Sequence, residues 1–470
     1  MTTFSATFAA DHVDQLRRHL HPGDSCEHAA YVLFNLAAIR VEPWDREAHR
    51  KFLSAEVIAV KDDQVIESTP NLISWKTASF VAALKRAEEA GQSVAIVHSH
   101  MGDMREFSAQ DDANEPELMR LAKNRNGRDT PLLSFILTET NELNGRIWLG
   151  DKLYVPLRIV RVIGDAFQLH YPSRGIGVER AAFQRQALAF GKALNEDLAM
   201  LRIGVVGCGG TGSAVAMLLT RLGVGQLTLI DNDIVDRTNL NRLHGARQSD
   251  ADAMRPKVEV VARSITELGL GVRVVPKEAW VGDPECRDAI RACDIVFGCT
   301  DDHEGRMFLN RLAVFYRIPV FDTGLLIRMS EDDPLQIQSL DGRVSVLLPG
   351  KTCLSCRGTI SAKQAADEAL RRSDPTEFER RKAEAYVFGA GNPSPSIVTF
   401  TTEVATMAVN ELLHRLQGYR GAEGAITTQV RQFQRMEDFR PGAKPKPGCP
   451  ICDDDGYWGR GDMDPFLDRS

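Results

Sequence analysis

The stretch richest in reactive side chains is "IVHSHMGDMREFSAQDD", residues 96–112, an apolar run closing on two histidines with a serine and an aspartate shortly after. His98 and His100 stand at i and i+2, so on a strand both imidazoles point to one side and can share an ion. Asp111 follows a loop long enough to return a carboxylate as a third ligand. Three protein ligands leave a fourth position open, the arrangement of a catalytic rather than a structural zinc. Zinc so held brings the pKa of its water near neutrality, which suits attack on a carbonyl. Such a site also wants a general base and an oxyanion donor, and Ser108, three residues before Asp111, is the candidate donor.

Two further patterns could carry chemistry. In "GVVGCGGTGS", Gly207, Gly209, Gly210 and Gly212 fit G-x-G-x-x-G between a short apolar strand and a helix, where bare backbone can approach a phosphate. Asp231 closes "LTLID", the place where a dinucleotide enzyme holds a ribose hydroxyl, so a nicotinamide dehydrogenase is an open reading of these residues alone. Cys353-x-x-Cys356 and Cys449-x-x-Cys452 supply four thiolates, enough for a closed tetrahedral zinc; two redox pairs are the alternative.

The elements that must position these residues can be read from the pattern. "AAYVLFNLAAIRV", "FLSAEVIAV", "SVAIVHSH", "PLLSFILTE" and "LYVPLRIVRVI" read as strands, and "WKTASFVAALKRAEEAG" as an amphipathic helix. The histidines thus end a buried strand. Pro and Gly in "YPSRGIGVE" mark a linker at 171–179 between a domain at 1–170 and another at 180–452. In the second, "LRIGVVG", "QLTLID", "VRVVPKEAW", "CDIVFGCT" and "IPVFDTG" recur at βα spacing, which predicts a doubly wound parallel sheet. Residues 357–386 are charged and helix-prone, a long excursion, and 453–470 form an acidic tail, disordered or docking. The 470 residues suit two or three domains, and 43% hydrophobic with 26% charged residues is an ordinary globular composition. A net charge of -7 argues against a nucleic-acid or membrane surface, and no apolar run is long enough to span a bilayer. Without a signal-peptide core at the start, a cytoplasmic setting is expected, with the nine cysteines as thiols or ligands rather than disulfides.

The offsets His98-x-His100, Ser108, Asp111 resemble the JAB/JAMM metalloprotease motif, over roughly the first 160 residues. That resemblance implies a JAB/MPN-type α+β domain and an upstream glutamate base on a helix leading into a strand. Glu27 in "CEHAAYVLF" fits, although Glu42, Glu56 and Glu67 also lie upstream. A domain of this kind either cuts at a ubiquitin-like tail or only binds it.

"DNDIVDRTNLNR" through "RPK" resembles the ThiF/MoeB/HesA-type family, the adenylating fold shared with ubiquitin-activating enzymes, over about residues 180–452. The resemblance implies a Rossmann-like domain using ATP and Mg2+. In it Asp231 holds the ribose, Asp233 lies beside it, and Asn239, Arg242 and Lys257 meet the phosphates. Asp301, followed by Asp302 in "CTDD", holds magnesium, and Arg185 in "FQRQ" reaches the ATP of a partner subunit, which implies a homodimer. The cysteine pairs become one structural zinc beside the catalytic one.

The implied partner is a ubiquitin-like or sulfur-carrier protein, with a conjugating enzyme or a sulfurtransferase next in line. Relatives that pass on a thioester keep a cysteine between the two zinc pairs, and residues 357–448 contain none. Cys286 in "DPECRDAI" reads as an ordinary helical residue, with an exposed thiol as the alternative. The acyl group then goes directly to another protein's nucleophile, or to a hydroxyl such as Ser394 or Ser396.

Overall fold

A computed structural model describes residues 2–150, 152–172, 181–330, 336–383, 395–453 and 455–463. They divide into two compact units, the first made of Met1–Val41, Glu47–Gly177 and Trp458–Pro465, the second of Glu42–Arg46, Val178–Tyr457 and Phe466–Ser470. Two short segments thus belong to the unit their place in the chain does not suggest. Much of the expected linker, from residue 173, lies outside the described residues.

The first unit runs β1 (Thr2–Ala9), α1 (Ala10–Leu20), β2 (Ala29–Ile39), β3 (Ala48–Ala59), β4 (Val65–Thr69), β5 (Leu72–Trp75), α2 (Thr77–Ala90), β6 (Ser93–His100), α3 (Ala109–Asn126), β7 (Leu132–Thr138), β8 (Leu143–Gly150), β9 (Leu153–Pro156), β10 (Val160–Ile163) and β11 (Phe167–His170). Nine strands form one mixed sheet in the order β11-β10-β1-β3-β2-β6-β7-β8-β9, and β4 pairs with β5 apart from it. Val13, Leu16 and Leu20, one stripe of α1, pack on one face with Phe8, Phe34, Phe135 and Val97. On the other face α2 and α3 bury Phe80, Leu84 and Met119 against Tyr31, Val94 and Ile96. β6 therefore alternates between two cores, and His98 and His100 continue the side of Val94 and Ile96, toward α3. The stretch read as "LYVPLRIVRVI" is two strands, β9 stopping at Pro156, which cannot donate to a ladder.

The second unit contains α4 (Gln184–Phe190), α5 (Lys192–Met200), β12 (Arg202–Val206), α6 (Gly210–Leu222), β13 (Gln226–Ile230), α7 (Gln248–Asp252), α8 (Lys257–Glu267), β14 (Arg273–Lys277), α9 (Arg287–Ala292), β15 (Ile295–Gly298), α10 (His303–Phe315), β16 (Val320–Met329), β17 (Ile337–Leu347), α11 (Ala362–Ser373), α12 (Pro375–Ala383), α13 (Val398–Gln417), β18 (Thr428–Gln432) and β19 (Glu437–Phe439). Its sheet order is β14-β13-β12-β15-β16-β17-β18-β19, parallel through β16 and antiparallel beyond. The order reverses between β12 and β15, and a crevice at such a switch point, past the strands' carboxyl ends, is where open α/β sheets bind ligands. Among the described residues no helix is long and apolar enough to cross a membrane.

Candidate functional site

The first site is built by β6 and the start of α3. His98 Nε2 lies 3.1 Å from His100 Nε2 and 3.4 Å from Asp111 Oδ1, and His100 Nε2 lies 3.8 Å from Asp111 Oδ2. A tetrahedral ion with arms of about 2.0–2.1 Å needs ligand–ligand edges of about 3.4 Å, so the donor set fits zinc. Both histidines are buried. Burial disfavours the charged form of Asp111, yet hydrogen bonding to His98 and the Ser108 contacts hold its carboxyl well below the usual range.

Glu27 shares a cavity of about 290 Å3 with His98, His100 and Asp111. Burial raises its pKa to about 7, His98 opposing and Asp111 adding to the rise. Of the other upstream glutamates, Glu42 pairs with Arg202 at 2.9 Å in the second unit, Glu56 with Arg86 at 2.6 Å, and Glu67 is exposed on β4. Of these four glutamates, Glu27 is the one that lines the cavity. It does not stand on a helix, as the resemblance implied. α1 ends at Leu20, and Gly23 and Ser25, at φ of 96° and 58°, turn the chain into β2.

Ser108 also differs from expectation. It is the N-cap of α3: its Oγ accepts from the Asp111 backbone N–H at 3.2 Å and donates to Asp111 Oδ2 at 2.8 Å. The proton wanted for an oxyanion is spent on the ligand carboxylate. Ser108 thereby orients Asp111.

The second site gathers at the switch point. Gly207, at φ 85°, passes so close to Cys299 that a Cβ would lie 2.7 Å from its carbonyl oxygen, and a Cβ on Gly212 would lie 1.7 Å from the Gly207 oxygen. These two glycines serve the protein's own close packing. Gly210 abuts Thr401 and Arg242, whereas Gly209, the N-cap of α6, faces open space and is where a phosphate can approach the helix. Asp231 accepts from the Cys208 and Asp233 backbone N–H groups at 2.6 and 2.8 Å, and burial raises its pKa against the pull of Lys257. Lys257 pairs with Asp233 at 2.6 Å. Burial works to lower its pKa, but Asp231, Asp233 and Asp301 together raise it.

Arg242, beside Gly210, donates to the Thr238 carbonyl and to Asn241, and Asn239 caps the turn at Asp236. Asp301 is exposed at the end of β15. Asp302 instead caps α10, accepting from the Gly305 N–H at 2.6 Å, and it also accepts from Thr300 and, at 3.4 Å, Trp280. A second cap escaped sequence reasoning, since Glu368 of α11 accepts from Glu304 N–H at 2.8 Å. Its only signal was charge in the helix-prone excursion. Arg372, one turn on, lies 3.9 Å over Trp280 and pairs with Glu304 at 2.5 Å. Arg185 is exposed on α4.

The four cysteines Cys353, Cys356, Cys449 and Cys452 come together, all sulfurs within 4.8 Å of one another. Cys353 and Cys449 are 3.8 Å apart and Cys356 and Cys452 3.6 Å, against edges of about 3.8 Å for a tetrahedron with 2.3 Å zinc–sulfur arms. The donor set fits zinc. Cys286 is buried, which removes the alternative of an exposed thiol, and burial pushes that thiol up to about 12. Burial likewise raises Cys208 and takes Cys299 to about 12, so neither thiol beside the glycine loop is a ready nucleophile. Ser396 is half-buried ahead of α13, and Ser394 lies outside the described residues.

The chain matches the ThiF family model over residues 183–451 and the model for prokaryotic homologs of the JAB domain over 9–149. It is 29% identical to the molybdopterin-synthase adenylyltransferase of Escherichia coli over 265 residues, 55% of this chain and 89% of that protein. It is 30% identical to the SAMP-activating enzyme E1 of Haloferax volcanii over 192 residues, 41% of this chain and 63% of that one. With the ubiquitin-like modifier-activating enzyme 5 of Culex quinquefasciatus it shares 27% identity over 269 residues, 54% of this chain and 59% of that one. Of those two activating enzymes the chain thus spans about three-fifths. A doubly wound sheet with these motifs, matched along more than half the chain, places the protein in the ThiF family, with a prokaryotic JAB-type domain fused ahead of it.

Proposed function

We propose that the second unit adenylates the C-terminal carboxylate of a ubiquitin-like or sulfur-carrier protein, and that the first unit hydrolyses peptide or isopeptide bonds at that same tail. The observation carrying the first half is that Asp231 after β13, Lys257 opening α8 and paired with Asp233 at 2.6 Å, and Asp301 after β15 follow the switch-point topology in which Gly209 leaves its backbone uncovered. A carboxylate oxygen attacks the α-phosphorus of ATP, forming an acyl-adenylate while the bond to the bridging oxygen breaks and pyrophosphate leaves. Charge accumulates on the phosphates, and Lys257 and Arg242 offset it, with Asn239 donating beside them. Asp231 orients the ribose. Asp233 keeps Lys257 protonated and aimed. Asp301 would hold the magnesium ion, which supplies charge neutralisation across the phosphates, while Asp302 fixes the start of α10 next to it. Arg185 of a second copy completes the site, so the active species is a homodimer.

In the first unit His98, His100 and Asp111 would hold a zinc ion, which supplies Lewis acidity towards a carbonyl and acidifies water. Glu27, whose pKa burial raises to about 7, would take a proton from the attacking water and return it to the leaving amine. With no cysteine in residues 357–448 and the nucleotide-side thiols buried, the adenylate is handed to a nucleophile on another protein.

The test is exchange of labelled pyrophosphate into ATP in the presence of a ubiquitin-like or sulfur-carrier protein. Exchange by the wild type, abolished in Asp301→Ala, supports the reading. Undiminished exchange in that variant overturns the assignment. Mixing Arg185→Ala with Asp301→Ala subunits is expected to restore activity in some heterodimers, whereas a strict monomer that still exchanges contradicts the dimer.

A further inference from the structure

Asp111 can serve as a ligand only if the first turn of α3 stays against β6, and that turn is weakly tied to its own helix. Pro116 lies inside α3 and lacks the N–H that would bond the Asp112 carbonyl one turn back. A side-chain tie across these turns comes from β8. Arg146, 3% exposed, donates from Nε to Glu115 Oε2 at 2.8 Å and from a terminal nitrogen to Asp112 Oδ1 at 2.5 Å. Its guanidinium lies 3.8 Å over the ring of Phe107, which belongs to the loop between His100 and Ser108, and 4.8 Å from that of Tyr154. Glu115, 4% exposed, also accepts from Ser134 Oγ at 2.5 Å and from the indole N–H of Trp148. One side chain on β8 thus grips both the loop and the helix that flank the ligand aspartate.

We propose that Arg146 and Glu115 are positioning residues for Asp111, a buried fork that sets the height of α3 over the two histidines and so the affinity and geometry of the metal site. The inference rests on the reading that His98, His100 and Asp111 hold a metal. An arginine is needed because only a planar fork reaches two carboxylates on successive turns and stacks on a ring; a lysine keeps the charge and loses the fork. Both charges must leave together if the interior is to stay compensated, since a lone buried charge is strongly destabilising.

The experiment uses the full chain with zinc retained at the four cysteines and the His–His–Asp site titrated with Co2+ alone, followed by its visible ligand-field absorption. The paired variant Glu115→Gln/Arg146→Met is expected to bind Co2+ about 10- to 100-fold more weakly than wild type, as loss of outer-shell support generally does. Its bands at saturation should be altered, which mere loss of fold stability would not produce. Arg146→Lys should fall between the two, and His98→Ala, with a ligand removed, should bind least. If the paired variant does not fold, Arg146→Lys carries the test on the same two readouts. Wild-type affinity together with a wild-type spectrum in these variants overturns the proposal alone. A wild-type chain that takes no Co2+ sensitive to His98→Ala overturns the metal reading and the proposal with it.

Discussion

The His–His–Asp cluster and the four-cysteine cluster each fit one zinc ion, yet they are built in opposite ways. The first has three candidate ligands from a strand and a following helix, lies on a cavity of about 290 Å3, and has within that cavity a carboxyl group whose pKa burial raises to about 7. The second has four thiols brought together from sequence positions 96 residues apart. Three ligands and an open side leave room for chemistry, while four thiolates close the ion in. Removing an ion from the two sites should therefore have opposite consequences, one for the reaction and one for the fold.

The largest effect is expected at the closed site. Structural zinc in small cysteine sites contributes on the order of 10 kcal/mol or more of apparent binding energy, comparable to the whole stability of a domain at about 5–15 kcal/mol. Cys353→Ser should cut zinc from about two ions per chain to one and lower the thermal midpoint sharply or leave the second unit unfolded. His98→Ala should also lose one ion, with cleavage abolished and the midpoint of the second unit unmoved. Metal analysis beside a melting curve separates the two, and equal melting losses would erase the distinction.

Next comes the base. Glu27→Gln keeps all three ligands, so zinc should stay while cleavage falls about 10^2- to 10^4-fold. Because the carboxylate is the working form and burial raises its pKa, cleavage should climb with pH as Glu27 loses its proton. A wild-type profile flat from pH 6 to 8 would remove Glu27 from the role. The smallest effect belongs to Ser108→Ala. As a helix cap it is worth about 1 kcal/mol, so a weakening of the metal site by roughly fivefold at most is expected. A loss of about a hundred-fold or more in cleavage at full zinc occupancy would instead restore the oxyanion role.

What sequence revealed follows from how far apart the cooperating residues lie. His98 and His100 share a strand face and Ser108 and Asp111 a helix start, so fixed short offsets announce them. The glycine loop and the strand runs at βα spacing are local for the same reason. The Arg146–Glu115 fork joins residues 31 apart on different elements, and no periodicity encodes it. Cys286 stands among charged neighbours that leave its exposure open in the sequence, and the fold buries it. The C-terminal run reads as an acidic tail, disordered or docking, and residues 458–463 pack with the first unit, where Asn35 donates to the Gly459 carbonyl at 2.8 Å. Hydrogen bonds that span 424 residues, this one and that from the Ala38 N–H to Asp462, leave no pattern to read.

The most direct test of the claim that one ion does chemistry and the other holds the fold is a single dialysis against chelator. The substrate is a ubiquitin-like or sulfur-carrier protein fused through its C-terminus to a reporter. The account predicts a chain retaining one zinc, folded, still exchanging pyrophosphate into ATP, unable to release the reporter, and restored to cleavage by added zinc. A two-zinc wild-type chain that binds the fusion and never cuts it would contradict the account and make the first unit a docking module.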